Sequence, residues 1–318
     1  MICKICKNKT NASNIITRSK STRRIFFCKN CDFEFFNFDP KKNLKQNKLD
    51  ITRLKKTGLN IPKLKDDFKN GRNQAKKYIK DFIKSKKRLK ILDVGCSWGY
   101  FLYELKKQHD VYGLELNTLK KEYVNNKLKI QCENNIENYI HNGNKFDYIF
   151  LFYTIEYIPN YEEFLNKCYS ILNSSGNIII LTPNKNDLLR TLLDKEKKYM
   201  NFFYDDNSIN YFSPKSLKKI MQKLKFRRFS INNSQGYSIF NFLNWFFHKK
   251  PFPSNKVGGD SLALDLNIYF SKNQYKDINL KLISSNLLKI FKTMNKQYLH
   301  LVNKTEIANI ITLKITKN

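Results

Sequence analysis

Hydrophobic residues recur with two different periods along this chain, and each change of period marks an element. Between Asp32 and Phe38 apolar and polar side chains largely alternate, which predicts a short strand ended at Asp39-Pro40, because proline cannot donate to a sheet ladder. From Phe68 to Leu89 the apolar positions Ala75, Tyr78, Ile79, Phe82 and Ile83 fall at helical spacing and predict an amphipathic helix. Leu89-Lys-Ile-Leu-Asp93 then reads as a buried strand, followed by a tight turn holding Gly95 and Gly99 and by the start of a helix. Asp110 to Glu115 forms a second short strand, and Lys145 to Tyr153 an apolar strand. Tyr161 to Leu172 is a helix, and Asn173-Ser-Ser-Gly176 turns into the strand Asn177 to Asn184. The alternation of strands and helices predicts a doubly wound α/β sheet of the Rossmann type, with ligands at the C-terminal ends of its strands. Residues 234–305, between the penultimate and the final strand (Ile307 to Ile315), form an insertion. It contains a helical stretch from Asn279 to Val302 and an aromatic, cationic stretch from Phe240 to Pro251.

At 318 residues the chain has the length of about two domains. The spacing of its motifs divides it into 1–40, a basic helical linker at 41–90, and 91–318. With 41% hydrophobic and 14% aromatic residues it is not disordered throughout, and a mean hydropathy of -0.56 excludes an integral membrane protein. No apolar run approaches the roughly 18 residues of a membrane span, and the first residues lack the apolar core of a secretory signal, so a cytoplasmic location is expected. The net charge of +32 points at face value to an anionic partner. Lys supplies 50 of the 59 basic side chains, however, and Asn occurs 40 times. These two residues share A-rich codons, and specific phosphate or base recognition favours the Arg fork instead. Codon bias therefore accounts for most of the charge. The excess that survives lies in residues 41–90, with 19 basic and 4 acidic side chains, a surface suited to an anionic acceptor.

Two motifs carry chemistry. Cys3-Lys-Ile-Cys6 and Cys28-Lys-Asn-Cys31 are two C-x2-C pairs 21 residues apart, the spacing of a tetrahedral four-cysteine zinc site. Four thiolates leave no open position for an activated water, so the metal expected here is structural Zn2+, which a segment of some 40 residues requires in order to fold. The second motif is Gly95-Cys-Ser97-Trp-Gly99. Glycine lets a ligand approach the backbone, and Glu115, 16 residues after Gly99 at the end of the next strand, can accept hydrogen bonds from both hydroxyls of a ribose. No G-K-[ST] follows the turn, which excludes a Walker loop.

Taken in order, Ile91-Leu-Asp-Val-Gly-Cys-Ser-Trp-Gly-Tyr-Phe-Leu102, Phe146-Asp-Tyr-Ile with Ile155-Glu156, Leu172 to Gly176, Leu181-Thr-Pro-Asn184 and Asn210 to Leu217 resemble the successive signatures of class I S-adenosylmethionine-dependent methyltransferases. The resemblance spans about residues 70–230 plus the last dozen. The cysteine module is similar to the N-terminal zinc ribbon on one branch of that family, many of whose members act on sugars and other small molecules of surface-glycan (polysaccharide biosynthesis) or natural-product pathways. The resemblance implies that Asp93, Gly95, Ser97 and Gly99 line the methionine end of S-adenosylmethionine, that Glu115 holds the ribose, and that Asn135 and Ile136 lie at the adenine edge. It also implies that Phe152 to Glu156 form the floor between cofactor and acceptor. Ser97 stands where the family usually has glycine. The Glu-His pair of the family is here Glu156-Tyr157, and a further family histidine aligns with Ser208. None of His109, His141, His248 and His300 falls where a base is expected, and His109 reads as a surface residue at a helix end.

Methyl transfer from a sulfonium is an in-line displacement in which positioning supplies much of the catalysis. A hydroxyl acceptor also needs a base, and Glu156, Tyr157 and Tyr153 are the candidates. The acceptor expected is a sugar or other small, anionic molecule, nucleotide- or lipid-linked, and the aromatic stretch at 240–250 allows a peripheral membrane contact. Two other readings stand beside this one: an RNA methyltransferase using the basic segment as a phosphate track, and a catalytically silent zinc-ribbon binding protein.

Overall fold

The computed structural model describes residues 1–37, 64–251 and 278–318. Phe38 to Pro40 and residues 41–63 of the basic segment 41–90 lie outside the described residues. The chain starts with three antiparallel strands, β1 (Asn11–Ile16), β2 (Thr22–Cys28) and β3 (Phe33–Phe36), paired β1-β2-β3. The alternation in β3 is aromatic on both sides: Phe33, Phe35 and Phe36 are all buried, which is a packing role.

Helix α1 (Leu64–Phe82) leads into β4 (Lys90–Val94). Then follow α2 (Tyr100–Leu105), β5 (Asp110–Leu114), α3 (Thr118–Asn126), β6 (Cys132–Glu133), α4 (Ile136–His141) and β7 (Phe146–Phe152). Next come α5 (Tyr161–Ser170), β8 (Leu172–Pro183), α6 (Leu188–Leu192), α7 (Lys197–Phe203), β9 (Asn210–Tyr211) and α8 (Pro214–Lys223). The last elements are β10 (Phe229–Ser234), α9 (Ile239–His248), α10 (Ile278–Asn303) and β11 (Ile310–Thr316).

Seven strands form one sheet in the order β10-β11-β8-β7-β4-β5-β6. The run β8-β7-β4-β5-β6 is parallel, and β10 and β11 join antiparallel. This is the Rossmann-like α/β sheet expected. Its chain order reverses at β4, which has β5 on one side and β7 on the other, so the crevice beyond the C-terminal end of β4 is where such a sheet takes a ligand. The glycine turn follows β4 directly. Helix α1 lies over the same end: Tyr78 and Phe82 meet Phe152 and Phe150, and Gly71 sits so near Tyr100 that a Cβ there would be 2.3 Å from the ring.

Two boundaries and the exposure of one residue differ from the sequence pattern. Asn173-Ser-Ser-Gly176 is not a turn ahead of a strand. Strand β8 begins at Leu172 and absorbs the segment as an irregularity of its pairing with β7, with Ser175 at φ 62°. The last strand starts at Ile310, because the carbonyls of Ile307 and Asn309 are taken by the amides of Leu188 and Asn184 instead of by a ladder. His109 lies four residues beyond the end of α2 and is buried, its Nδ1 accepting from the Leu89 amide, and is not a surface residue at a helix end.

Strand β3 also pairs with β9, Glu34 opposite Tyr211 and Phe35 opposite Asn210, so the cysteine-bearing sheet is completed by the α/β part of the chain. Phe33 packs on Tyr161 and Phe212, inside the main core. Across the same junction Arg190 donates to both carboxylate oxygens of Glu34, at 2.9 and 3.2 Å, and Lys185 donates to Asp32 at 2.6 Å.

Candidate active site

The turn after β4 owes its shape to three left-handed residues within five: Gly95 at φ 73°, Ser97 at 50° and Gly99 at 74°. At Gly95 a side chain would also collide, since its Cβ would lie 2.5 Å from the Thr154 hydroxyl. Gly99 is closed in by Leu128 and Val124 of the neighbouring layer. Ser97 takes the same backbone region at a modest cost in strain, and Glu115 holds it there. One carboxylate oxygen accepts the Ser97 amide at 2.9 Å and the other the Asn117 amide at 2.8 Å. Glu115 is half-buried, and each oxygen retains a lone pair. The cradle at Gly95, which only hydrogen fills, and this anchored carboxylate fit a nucleoside ligand approaching along the backbone. Asp93, at the end of β4, is buried. Burial, with the charge of Glu115 adding to it, pushes its carboxyl well above the usual carboxylate range.

Beyond the turn lies a cavity of about 870 Å³. Of the residues singled out by sequence, Asp93, Gly95, Phe152, Tyr153, Glu156 and Tyr157 line it. Ser97, Gly99 and Glu115 do not line it: the first two belong to the turn itself, and Glu115 anchors the turn through the Ser97 amide. Asn135 caps α4, accepting the Glu137 amide, and Ile136 is buried in the main core; neither lines the cavity.

Glu156 lies in a single 3-10 turn after β7 and is 3% exposed. Thr182, near the end of β8, donates to its Oε2 at 3.1 Å. Burial pushes this carboxyl up to about 8, against which the Thr182 hydrogen bond works only in part. Tyr153 is held at φ 51° by a bond from its amide to the Leu181 carbonyl, and burial, with Tyr78 beside it, raises its hydroxyl well above the ordinary range. Tyr157 keeps its ring 41% exposed, while desolvation of the hydroxyl, reinforced by Glu156, pushes it up to about 12. Among these three, Glu156 is the group whose proton is exchanged near neutral pH.

Several wall residues carry no local sequence signal, because they reach the cavity from distant parts of the chain. Arg18 comes from the loop between β1 and β2, stacks on Phe202 at 4.4 Å and donates to its carbonyl. Tyr78 belongs to α1, Tyr237 and Trp245 to the insertion, and Tyr199, Phe202 and Phe203 to α7. Asp187 is legible as the cap of α6, but its place in the wall, with the Tyr199 hydroxyl at 3.2 Å, is not. Among the described residues, the two cations of the wall are engaged, Arg18 with Asp205 and Lys185 with Asp32.

Away from the cavity the four N-terminal cysteines converge. Their sulfur atoms lie within 4.8 Å of one another, three of the side chains are buried, and all are free thiols. Cys6 and Cys28, 3.6 Å apart, are too far for a disulfide and close to the sulfur spacing of a tetrahedral thiolate site. Each pair is followed by a left-handed residue, Lys7 and Asp32, so the two turns repeat one conformation.

No curated protein matches the chain. Among solved structures it is similar to an S-adenosylmethionine-dependent methyltransferase from Archaeoglobus fulgidus, with 17% identity over 80% of this chain and 98% of the other and a TM-score of 0.47. It is also similar to a Thermotoga maritima protein described as a possible histamine N-methyltransferase, with 15% identity over 83% and 98% and a TM-score of 0.46. A third is phosphoethanolamine N-methyltransferase 2 of Haemonchus contortus, with 14% identity over 77% of this chain and 52% of the other and a TM-score of 0.41. Residues 68–228, half of the chain, match the methyltransferase-domain family, from α1 through the cofactor turn and the Glu156 wall to α8. With that match and this sheet, the chain belongs to the class I S-adenosylmethionine-dependent methyltransferases.

Proposed function

We propose that this enzyme methylates a hydroxyl of a sugar or other small molecule held in the cavity, with Glu156 as the base, and that its four N-terminal cysteines bind a structural zinc ion. The observation that carries the reading is the placement of Glu156: a buried carboxyl in the wall of the cavity that Asp93 and Gly95 of the glycine turn also line. S-adenosylmethionine, when bound, supplies an electrophilic methyl group and a thioether leaving group. Asp93, Gly95 and Glu115 are the residues to hold it. Glu156, as its carboxylate, would accept the proton of the acceptor hydroxyl as that oxygen is methylated, and the cavity wall would hold the acceptor in line with the methyl group.

The wall also bears on the acceptor. Aromatic rings from Tyr153, Tyr157, Tyr199, Phe202, Tyr237 and Trp245 suit the apolar faces of a sugar, whereas Arg18 and Lys185 are paired with carboxylates. A neutral reacting end fits this wall better than an anionic one, so the phosphate of a nucleotide- or lipid-linked acceptor would lie outside the cavity.

Labelled S-adenosylmethionine supplied with the enzyme to fractionated cell extract tests the acceptor. Label is expected in glycan or nucleotide-sugar fractions, and label in a nuclease-sensitive fraction would overturn the choice in favour of RNA. Calorimetry tests the cofactor residues: Glu115→Ala is expected to weaken S-adenosylmethionine binding about tenfold or more, and an unchanged affinity would sink that assignment.

A further inference from the structure

The insertion presents an outer face that is apolar and cationic together. Helix α9 turns Trp245 inward, where it meets Tyr199 at 4.9 Å and Phe202 at 5.0 Å. Just beyond it Phe246, Phe247, His248 and Lys250 are exposed, Phe247 by 75%. Helix α10 packs one face on α9, Phe291 against Phe240 and Tyr298 against Phe242. Away from that contact it exposes Leu282, Ile283, Lys289, Ile290, Lys296 and Leu301, with the uncharged polar Asn286, Thr293 and Gln297 and His300 among them; Ile283, Ile290 and Leu301 lie to the side of the α9 contact, where α9 and α10 can face one surface together. Neither Ile239–His248 nor Ile278–Asn303 contains a single Asp or Glu.

We propose that this face docks on an anionic lipid bilayer. The two helices lie in its plane, with Phe247, Ile290 and Leu301 entering the acyl boundary and Lys250, Lys289 and Lys296 meeting headgroup phosphates. Charge selects the occupant. A second copy of the chain would set two cationic faces, neither of whose helices carries an acidic residue, against each other. A nucleic acid would satisfy the lysines and leave Phe247, Leu282, Ile283 and Ile290 against a polar backbone. A bilayer supplies an anionic surface and an apolar interior at the depths where each is needed. No helix among the described residues is long and apolar enough to cross a membrane, so the contact is in-plane. Because Asn241, Trp245 and Pro251 line the cavity from behind this face, docking would bring the cavity to the level of the headgroups.

The test is co-sedimentation of the full chain with phosphatidylcholine vesicles, with and without phosphatidylglycerol. Enrichment is expected on the anionic vesicles only. Lys289→Glu with Lys296→Glu should lower partitioning about tenfold or more. Phe247→Ser with Ile290→Ser should lower it also, and most visibly at high salt, where the charge contribution is screened. A charge-matched control, Lys107→Glu with Lys127→Glu, alters two exposed lysines on the side of the sheet that ends in β6 and should change little. Unchanged S-adenosylmethionine affinity in every variant shows that each is folded. The proposal falls if wild-type protein ignores anionic vesicles, or if the control loses as much as the face variants, since net charge alone would then be responsible. It falls equally if the face variants keep vesicle binding and instead lose binding to polyuridylate RNA. A wild-type chain that docks but binds no S-adenosylmethionine would overturn the methyl-transfer reading and leave this one standing.

Discussion

Glu156 shows how one residue's chemistry is set by where its chain neighbours go. A glutamate after an apolar strand carries no signal of its ionisation, but burial beside Thr182 pushes its carboxyl up to about 8. As a base it must be ionised, so kcat/KM is expected to rise as pH climbs through about 8. Glu156→Gln should lower kcat by about a hundredfold or more and abolish that rise, and a pH-rate profile of both proteins checks it. The stability consequence has the opposite slope. Because the folded carboxyl titrates above its ordinary value of 4.5, the folded state is favoured while it stays protonated. That stability is lost as pH rises from about 4.5 through about 8, whereas the glutamine variant should show a flatter dependence. Asp93 and Glu115 differ from Glu156 in legibility. Both stand at strand ends beside a glycine turn, a local pattern; Asp93 lines the cavity, whereas Glu115 anchors the turn through the Ser97 amide and does not line it. Tyr153 and Tyr157 were equally legible as neighbours of the floor, yet their hydroxyls are raised by burial out of the range in which they would exchange a proton readily.

Among the elements, the three-stranded N-terminal sheet gains most from its surroundings. β1 is largely exposed along its length, and β3 has only four residues, so the sheet depends on β9, on the aromatic contacts of Phe33 and on the cysteine turns. If the thiolates hold zinc, metal analysis should find one ion per chain, and Cys28→Ser should abolish it. Chelation should then unpair β3 from β9 and expose Phe33 and Phe35, which a rise in binding of an apolar dye at constant α/β secondary structure would report. Full metal content in the serine variant would count against the assignment. Cys-x2-Cys spacing made this cluster readable in sequence because each pair is local. The pairing with β9 was not readable, because Asn210-Tyr211 is a two-residue strand whose partner lies some 175 positions away.

At the scale of the whole molecule, the junction between the cysteine-bearing sheet and the α/β part rests on a buried carboxylate. Glu34 accepts both guanidinium nitrogens of Arg190 and the Tyr204 hydroxyl at 2.9 Å. Removing one partner strands the other's charge, so Glu34→Ala or Arg190→Ala should cost about 3–5 kcal/mol. The paired change Glu34→Leu with Arg190→Met should recover most of the loss, and urea unfolding of the three variants decides it. Through the same junction Arg18 reaches the cavity wall, so the N-terminal sheet contributes to the cavity's lining. What the sequence determined by itself was everything written in short-range periodicity: the buried strands, the glycine turn with its acid one strand later, the cysteine pairs, and hence the fold class; the cofactor came from the family resemblance that the ordered motifs carry. Tertiary structure decided which distant side chains share the cavity and how far burial shifts each of them. It also decided which side of α9 and α10 is left facing outward. Backbone propensity and ligand-turn geometry act over a few residues, whereas desolvation and cavity shape are set by whichever segments the sheet order brings together.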